Sequence, residues 1–386
     1  FYPINGGEYT IESVGLFDAR GMVVYPAKRD IPMIDFVRDW NGDGVDEVAL
    51  ATFDGLSIYM RSADGTFTPD NQIVVELETR IGQAWSGHGP DDNTTGLSTR
   101  YTFPNVHLLD YNSDGLPDLI AATEDRVIVY LQQPDGTYET TASTDHLFDV
   151  RTQEEKIEAY AEIETLVEDL DGDGYADAVV TKQTMKGITN VRGVVNVFWG
   201  GPDGYNAEPD QLIISEGTAS ARAVFLDVNG DDRKDLVLPS IKFSIAAIIR
   251  ILMTRSIKVY FNIFLLNDDG RISERPDYTK EVKFKIDFSG ESDSQAMDLE
   301  GDYNADKRTD FVFATGKDEL SVYLGEPAGG GRLFSKKPIA KIEADAYGEL
   351  LSSDVNNDGY SDMIIYYPES KNLKGTLEVL VNRATI

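Results

Sequence analysis

The sequence contains no cysteine, and only three histidines and three tryptophans occur among its 386 residues. Disulfides, thiolate metal sites and cysteine nucleophiles are therefore excluded. A nucleophile elbow, a phosphate-binding loop and a dinucleotide fingerprint are also absent. The most apolar segment, residues 241–266, is interrupted by Arg250, Arg255 and Lys258. It therefore falls short of the roughly 18 uninterrupted apolar residues that a membrane-spanning helix needs.

Basic residues are scarce relative to acidic ones. The chain has 35 Lys and Arg against 67 Asp and Glu, which gives a formal net charge of −32. Such a charge argues against nucleic acid and against anionic membranes as partners. Many of the carboxylates are concentrated in short turns, each placed directly before an apolar run.

Six of these turns share one spacing. The first, "DWNGDGVDEVAL" (39–50), has side-chain oxygens at positions 1, 3, 5 and 9, a glycine at position 6 and a strand-like run after it. Oxygens at 1, 3 and 5 can converge on one point, glycine permits the positive-φ bend, and position 7 can offer its carbonyl. Solvated acidic turns would not need the same spacing six times. The other five copies are "DYNSDGLPDLIA" (110–121), "DLDGDGYADAVV" (169–180), "DVNGDDRKDLVL" (227–238), "DYNADKRTDFVF" (302–313) and "DVNNDGYSDMII" (354–365).

A hard divalent cation is the natural partner for such turns, and oxygen-only ligands favour calcium over zinc or copper. The sequence therefore predicts up to six Ca²⁺ ions. The predicted ligands, loop by loop, are Asp39, Asn41, Asp43, Val45 and Glu47; Asp110, Asn112, Asp114, Leu116 and Asp118; Asp169, Asp171, Asp173, Tyr175 and Asp177; Asp227, Asn229, Asp231, Arg233 and Asp235; Asp302, Asn304, Asp306, Arg308 and Asp310; Asp354, Asn356, Asp358, Tyr360 and Asp362.

These turns differ from the EF-hand loop, which needs a bidentate glutamate at position 12. Position 9 supplies the closing carboxylate instead. None of the position-12 side chains can bind a metal; they are Leu50, Ala121, Val180, Leu238, Phe313 and Ile365.

The loops also differ from one another at position 6. Asp232 occupies it in the fourth loop and Lys307 in the fifth, where the other four have glycine. Because Lys307 suits the bend poorly and adds a positive charge, we expect the fifth loop to be the weakest site or to be empty. Asp298 and Glu300, just upstream, offer that loop an alternative register.

The loop starts lie 71, 59, 58, 75 and 52 residues apart, and each loop is followed by two apolar strand-like runs. A four-stranded unit at this period predicts an all-β, single-domain β-propeller over 1–386. We expect six blades, at roughly 31–100, 101–158, 159–218, 219–290, 291–345 and 346–386. The sixth unit ends after its third strand, so we expect a strand from residues 1–30, in "EYTIESVG" or "GMVVYP", to complete it. Seven blades are the alternative. In the first unit we place the fourth strand at "QIVVEL" (72–77).

Two stretches interrupt the repeat. Residues 80–100 are polar and Gly-rich, and they form either a long surface loop or a recognition loop that uses Trp85 and His88. Residues 241–266 predict a short helix near 244–254, capped by Ser244, before the strand resumes. That helix is apolar nearly all round, so it packs on its own propeller or forms a patch for a partner subunit.

The repeated unit, acidic loop then strand then "xVYxGxxDG", resembles the FG-GAP or VCBS repeats of bacterial extracellular proteins, the blade type of the integrin α-subunit propeller. The resemblance covers about residues 31–386, and "VNVFWGGPDGY" (195–205) is its closest single match. It implies that each calcium loop joins the first and second strands of its blade, so that all six loops lie on one face.

The expected function is therefore a secreted or cell-surface, calcium-binding recognition or adhesion module for protein or carbohydrate, without catalysis. Loops of this kind fit the weak extracellular calcium range. The chain begins at Phe1 without a methionine, as after removal of a signal peptide or at a boundary set by cloning. One alternative is a structural subunit of a filament, coat or surface layer that self-associates through 241–266. Another is a polysaccharide lyase or hydrolase. Asn93 begins an "NTT" glycosylation sequon.

Overall fold

The protein was analysed as a computed structural model. It describes residues 4–5, 8–9, 15, 17–19, 37–52, 54–62, 64–75, 78–84, 96–158, 161–186, 191–216, 218–220, 223–231, 233–242, 244–285, 297–315, 319–327, 332–344, 348–367, 373 and 376–383. Statements about structure below refer to these residues.

The N-terminal third forms two hairpins and two sheets, all antiparallel. The first hairpin pairs β1 (Ile4–Asn5) with β2 (Glu8–Tyr9). The first sheet contains β3 (Val37–Arg38), β4 (Glu47–Thr52), β5 (Gly55–Arg61) and β6 (Phe67–Ile73). The second hairpin pairs β7 (Glu78–Ala84) with β8 (Gly96–Thr102). The second sheet contains β9 (Asn105–Leu109), β10 (Asp118–Ala122), β11 (Arg126–Tyr130) and β12 (Thr144–Leu147).

Four further sheets follow in chain order. After helix α1 (Gln153–Glu158), the third sheet contains β13 (Ala161–Glu168), β14 (Asp177–Met185), β15 (Val191–Phe198) and β16 (Gln211–Glu216). The fourth contains β17 (Thr218–Ser220), β18 (Val224–Leu226), β19 (Asp235–Lys242), helix α2 (Ile245–Thr254), β20 (Ser256–Phe264) and β21 (Tyr278–Lys285). The fifth contains β22 (Met297–Gly301), β23 (Asp310–Ala314), β24 (Leu320–Tyr323) and β25 (Ala340–Ile342). The sixth contains β26 (Glu349–Ser353), β27 (Asp362–Tyr366) and β28 (Leu377–Leu380).

Each sheet follows the chain without crossovers. In the fourth sheet β17 and β18 pair with successive parts of β19, so the two together take the place of one first strand. The second strand of a sheet is rich in β-branched and aromatic residues and packs on both faces; every residue of β10 and of β23 is buried. Each acidic loop joins the first two strands of its sheet, so the loops occupy the same end of all six sheets.

Buried apolar clusters join each sheet to the next. One cluster, for example, combines Ile120 and Val129 of the second sheet with Val180 and Phe198 of the third. Four equivalent clusters join sheets one and two, three and four, four and five, and five and six. Sheets stacked in this way, each supplying a face to both neighbours, form the blades of a β-propeller. The predicted all-β, six-bladed propeller is thus confirmed.

The predicted closure of the ring by an N-terminal strand falls largely outside the described residues. Within them, β1 and β2 pair with each other, and the sixth sheet has three strands. Phe17 lies against the first blade, with its ring centroid 4.5 Å from that of Tyr59. The fourth strand of that blade is β6, at 67–73 instead of the expected 72–77, because its register is set by pairing with β5.

The polar stretch at 80–100 contributes to the β7–β8 hairpin, and its tip, with Trp85, His88 and Asn93, lies outside the described residues. The predicted helix near 244–254 is confirmed as α2. Ser244 caps it by accepting a 3.1 Å hydrogen bond from the backbone N–H of Ala247. Helix α1 was not predicted. Thr152 and Glu155 form a reciprocal capping box at its start, and the sequence "TQEE" has the spacing that indicates one. No helix within the described ranges is both long and apolar enough to cross a membrane.

Candidate functional site

The acidic loops share a backbone conformation that brings their polar side chains together. Five loops have a positive φ at position 6, including Lys307 at 66°, whereas Asp232 lies outside the described residues. Position 4 also has a positive φ, between 57° and 79°, in all six loops, which the sequence analysis did not anticipate. Glycine accepts a positive φ without strain, but only three of the six loops have a glycine at position 4. The position-4 residues are Gly42, Ser113, Gly172, Gly230, Ala305 and Asn357.

Within each loop, the side-chain oxygens accept hydrogen bonds from the loop's own backbone. In the third loop, Asp169 accepts the N–H groups of Gly172 and Gly174 at 2.8 and 3.2 Å. Asp173 accepts the N–H of Tyr175 at 2.9 Å. The position-1 carboxylates of the other loops also accept N–H groups of their own loop. The position-5 carboxylates of those loops accept the N–H of position 7. This bonding folds the polar side chains into one turn, as the spacing of the sequence predicts.

Position 9 has a second role that the sequence did not reveal. The carboxylate of Asp177 accepts the N–H of Leu170 at 2.8 Å and that of Gly200, just beyond β15, at 2.7 Å. It thereby fastens the loop to the end of the third strand. The equivalent carboxylates make the same pair of bonds in the second, fourth, fifth and sixth loops. All six position-9 side chains are buried, at 0 or 1 % exposure; they are Glu47, Asp118, Asp177, Asp235, Asp310 and Asp362.

Burial raises the pKa of several of these carboxylates, which makes them weaker acids. It raises the pKa of Asp118 to about 6 and those of Asp177, Asp235 and Asp310 to about 7. Neighbouring loop carboxylates add to the rise, and the donated backbone N–H groups oppose it. A divalent cation in the turn would reverse this balance, since positive charge favours the ionised carboxylate.

The third loop has the donor set that fits a hard cation. Oxygens of Asp169, Asp171 and Asp177 all lie within 4.8 Å of one another. Three carboxylates this close repel one another unless a positive charge lies between them. Oxygen donors at this spacing suit calcium. The other loops share the backbone conformation of the third loop at position 4. The identity of the ligands, including the position-7 carbonyls, stays a prediction.

The fourth and fifth loops contain their own positive charge. Arg233 Nη2 lies 2.8 Å from Asp231 Oδ2 and 2.9 Å from Asp268 Oδ1, and Arg308 pairs with Asp306 in the same manner. Partial burial would raise the pKa of Asp231, but the hydrogen bonds from Arg233 and Asn229 outweigh it and lower the pKa. Because a guanidinium neutralises the position-5 carboxylate, we expect both loops, not only the fifth, to bind calcium more weakly than the other four.

Removal of this arginine should strengthen the fifth site. We expect Arg308→Leu, which gives the loop the position-7 residue found in the second loop, to raise its calcium affinity about tenfold. A unit charge near 4 Å in a partly exposed loop repels the incoming ion by about 1–2 kcal/mol, and about 1.4 kcal/mol corresponds to a tenfold change. Calorimetric titration would show one additional site at submillimolar calcium. Arg192→Leu, which removes the charge of an exposed residue near the start of β15, is the control. If the two variants bound the same number of calcium ions with the same affinities, the expected weakness of the fifth loop would be contradicted.

Two pockets open beside the loops. One, of about 380 Å³, lies between the second and third sheets and is lined by Tyr111 and Asn112 of one loop and Tyr175 of the next. The other, of about 560 Å³, lies between the fifth and sixth sheets and is lined by Tyr303, Asn304 and Tyr360. These residues hold the same loop positions, 2, 3 and 7, in both pockets.

The sequence reasoning identified the loops but not the pockets. His107 lies within β9, whereas His146 of β12 lines the first pocket. A comparison of position 2 of one loop with position 7 of the next could have found both sites. That pair is Tyr–Tyr only at Tyr111–Tyr175 and Tyr303–Tyr360.

Fold and loops together define the chain as a six-bladed β-propeller in which each blade carries an acidic loop between its first two strands. Residues 169–238, which contain the third and fourth loops, match the model of the FG-GAP-like repeat. The match to this repeat and the six-bladed fold fit the FG-GAP resemblance noted from the sequence.

Solved structures with a similar fold come from proteins of different kinds. A Photorhabdus luminescens Tc holotoxin pore is 16% identical over 88% of this chain, with a TM-score of 0.38, and the chain covers only 14% of it. An Agrocybe aegerita lectin that recognises non-reducing terminal N-acetylglucosamine is 14% identical, with a TM-score of 0.46, over 92% of this chain and 81% of its own. The exotype rhamnogalacturonan lyase YesX is 13% identical over 84% of this chain and 57% of its own, with a TM-score of 0.33. Similarity at this level carries no argument about function.

Proposed function

We propose that the chain is a calcium-stabilised, extracellular recognition module that does not itself catalyse a reaction. The observation that carries the proposal is the repeated loop, which gathers the polar side chains of positions 1, 3 and 5 into one turn above a buried position-9 carboxylate. In the third loop the carboxylates of positions 1, 3 and 9, which are Asp169, Asp171 and Asp177, lie within 4.8 Å of one another. Calcium at such sites would hold the first and second strands of a blade together.

The chemistry of these loops supports an extracellular location. Their weakly held, exposed donors fit calcium dissociation constants of about 10⁻⁴ to 10⁻³ M, the range of extracellular modules. The cytosol has too little free calcium to fill such sites. The clustered aspartates are engaged by backbone N–H groups in the loops, and this arrangement supports a structural role rather than the acid–base pair of a lyase or hydrolase.

A second candidate function, self-assembly, is favoured by helix α2. Ile245, Leu252 and Met253 are 67, 67 and 79 % exposed, and only Ala247 of the helix is fully buried. Residues 242–258 contain four basic residues and no acidic one. The helix follows β19, at the end of the sheet opposite the acidic loop. Its positive charge therefore complements the acidic loop end of a second copy of the chain. Such head-to-tail contacts generate filaments.

Light scattering and negative-stain imaging, in millimolar calcium and again with a chelator, separate the two functions. A monomer in calcium that loosens on chelation supports the recognition module. Filaments or larger rings that form only with calcium support the assembly subunit.

For the assembly candidate, we expect Ile249→Glu combined with Leu252→Glu to abolish filaments, because both exposed side chains would place a charge in the contact. The matched control is Leu212→Glu with Ile214→Glu, two apolar residues of β16 that are each 50 % exposed. Filaments that persist in the helix variant, or that are lost equally in the control, would contradict a contact through α2.

A further inference from the structure

The pocket between the second and third sheets combines aromatic rings with polar groups. Tyr111 and Tyr175 come from two successive loops, and Tyr205 follows β15. The ring centroid of Tyr205 lies 5.9 Å from that of Tyr111 and 5.5 Å from that of His146, both edge to face. Asn112, Thr144 and Asp203 add an amide, a hydroxyl and a carboxylate to the lining. The volume of 380 Å³ falls within the range of about 300–1,000 Å³ typical of ligand sites.

The hydroxyl group of Tyr205 is the most informative part of the pocket. Tyr205 is 9 % exposed, and its Oη is buried without a hydrogen-bond partner in the described part of the chain. Burying a hydroxyl unpaired costs free energy, so native structures nearly always satisfy it. A ligand hydroxyl in the pocket would supply the missing bond.

The second pocket provides an internal comparison. It has the same tyrosines and asparagine at loop positions 2, 3 and 7, but its other walls are mostly apolar, with Leu324, Ile339 and Ile342 among them. The hydroxyl of its Tyr303 is bonded to Asp298 at 3.1 Å and to Ser352 at 2.6 Å. The two pockets therefore share the same three loop positions, but among the described residues only the first contains a buried hydroxyl without a partner.

These observations narrow the ligand. Among the described residues no lysine or arginine lines the first pocket, and acidic loops flank it, so an anionic ligand is disfavoured. Its polar walls equally disfavour a purely apolar one. The ligand that suits this pocket is a ring-shaped molecule. One face of the ring is apolar and packs against the aromatic side chains, and its hydroxyl groups both donate and accept hydrogen bonds.

We propose that this pocket binds a sugar residue of a neutral glycan, against Tyr111 and Tyr175 and with a ligand hydroxyl bonded to Tyr205 Oη. The assignment rests on the proposed recognition function and names its ligand class. The matching pocket between the fifth and sixth sheets does not bind that sugar.

The test begins with a glycan array of neutral, amino-sugar and acidic termini, screened in millimolar calcium. The free monosaccharide of the strongest hit is then titrated while the imidazole resonance of His146 is followed by NMR. We expect saturable binding that shifts this resonance. Tyr175→Ala should weaken binding at least about tenfold, and Tyr360→Ala, the same loop position in the other pocket, should leave it unchanged.

A finer variant separates the hydroxyl from the ring. We expect Tyr205→Phe to weaken sugar binding about three- to tenfold through loss of one hydrogen bond. The melting temperature of the free protein should stay the same or rise, because a buried unpaired hydroxyl has been removed. A merely structural Tyr205 would not produce this combination.

No glycan binding, equal binding by the Tyr175→Ala and Tyr360→Ala variants, or binding only of lysine- and arginine-rich peptides on a parallel peptide array would overturn the assignment. Stabilisation of the protein by calcium would be unaffected by any of these results. The failure of this inference is therefore distinguishable from that of the proposed function.

Discussion

Calcium should raise the melting temperature of this protein by about 5–15 °C. At 10 mM calcium and dissociation constants of about 0.1–1 mM, each occupied loop contributes about 1.4–2.7 kcal/mol to the free energy of unfolding. The four loops without an internal arginine would together contribute about 5–11 kcal/mol. For a chain of this size one kcal/mol corresponds to one or two degrees, since the entropy of unfolding scales with length. Thermal unfolding in calcium and in chelator measures the difference.

Magnesium at the same concentration is the control for this experiment. It demands a smaller, more regular shell of oxygens and gives up its water reluctantly, so we expect a much smaller shift. Equal stabilisation by the two ions would indicate general screening of the −32 charge rather than specific sites. A melting temperature that does not respond to calcium at all would remove the basis of the proposed function.

Asp177→Ala should lower the free energy of unfolding by about 3–5 kcal/mol even in chelator. The substitution leaves the buried N–H of Leu170 and the partly buried N–H of Gly200 without an acceptor, and each unsatisfied group costs about 1–3 kcal/mol. Denaturant unfolding without calcium measures this effect, because no ion then contributes to the stability of the loop.

Asp173→Ala in the same loop separates the structural role from the ligating one. Asp173 is exposed and accepts one N–H, that of Tyr175, which water can satisfy in its place. We expect this variant to unfold within about 1 kcal/mol of the unmodified protein in chelator but to lose the calcium increment of the third loop. If Asp177→Ala were as mild as Asp173→Ala in chelator, the position-9 carboxylates would not fasten the loops as described.

The repeated elements could be predicted from the sequence because their signals are local. The 1-3-5 spacing places three side chains in one turn whatever surrounds it, and runs such as "VIVYL" pair with their neighbours in any sheet. The same local chemistry predicted α2, since Ser244 precedes an apolar run. Six loops in one register then implied six similar blades.

Features that depend on tertiary packing were beyond such reasoning. Position 9 was interpreted only as a ligand, because nothing in "DLDGDGYAD" shows that Gly200, twenty-three residues after Asp177, donates to it. The pocket beside His146 forms between two sheets and requires their relative placement. The sequence predicted that Arg233 and Arg308 bind calcium through their backbone carbonyls. In the folded loops their guanidinium groups pair with Asp231 and Asp306 instead.

The most direct test of the account is the number of calcium ions bound per chain, measured by equilibrium dialysis at millimolar calcium and located by anomalous diffraction at the six loops. We expect strong sites in the first, second, third and sixth loops, with weaker or partial occupancy in the fourth and fifth. A chain that binds no calcium at these concentrations, or whose ions lie away from the loops, would contradict the central claim.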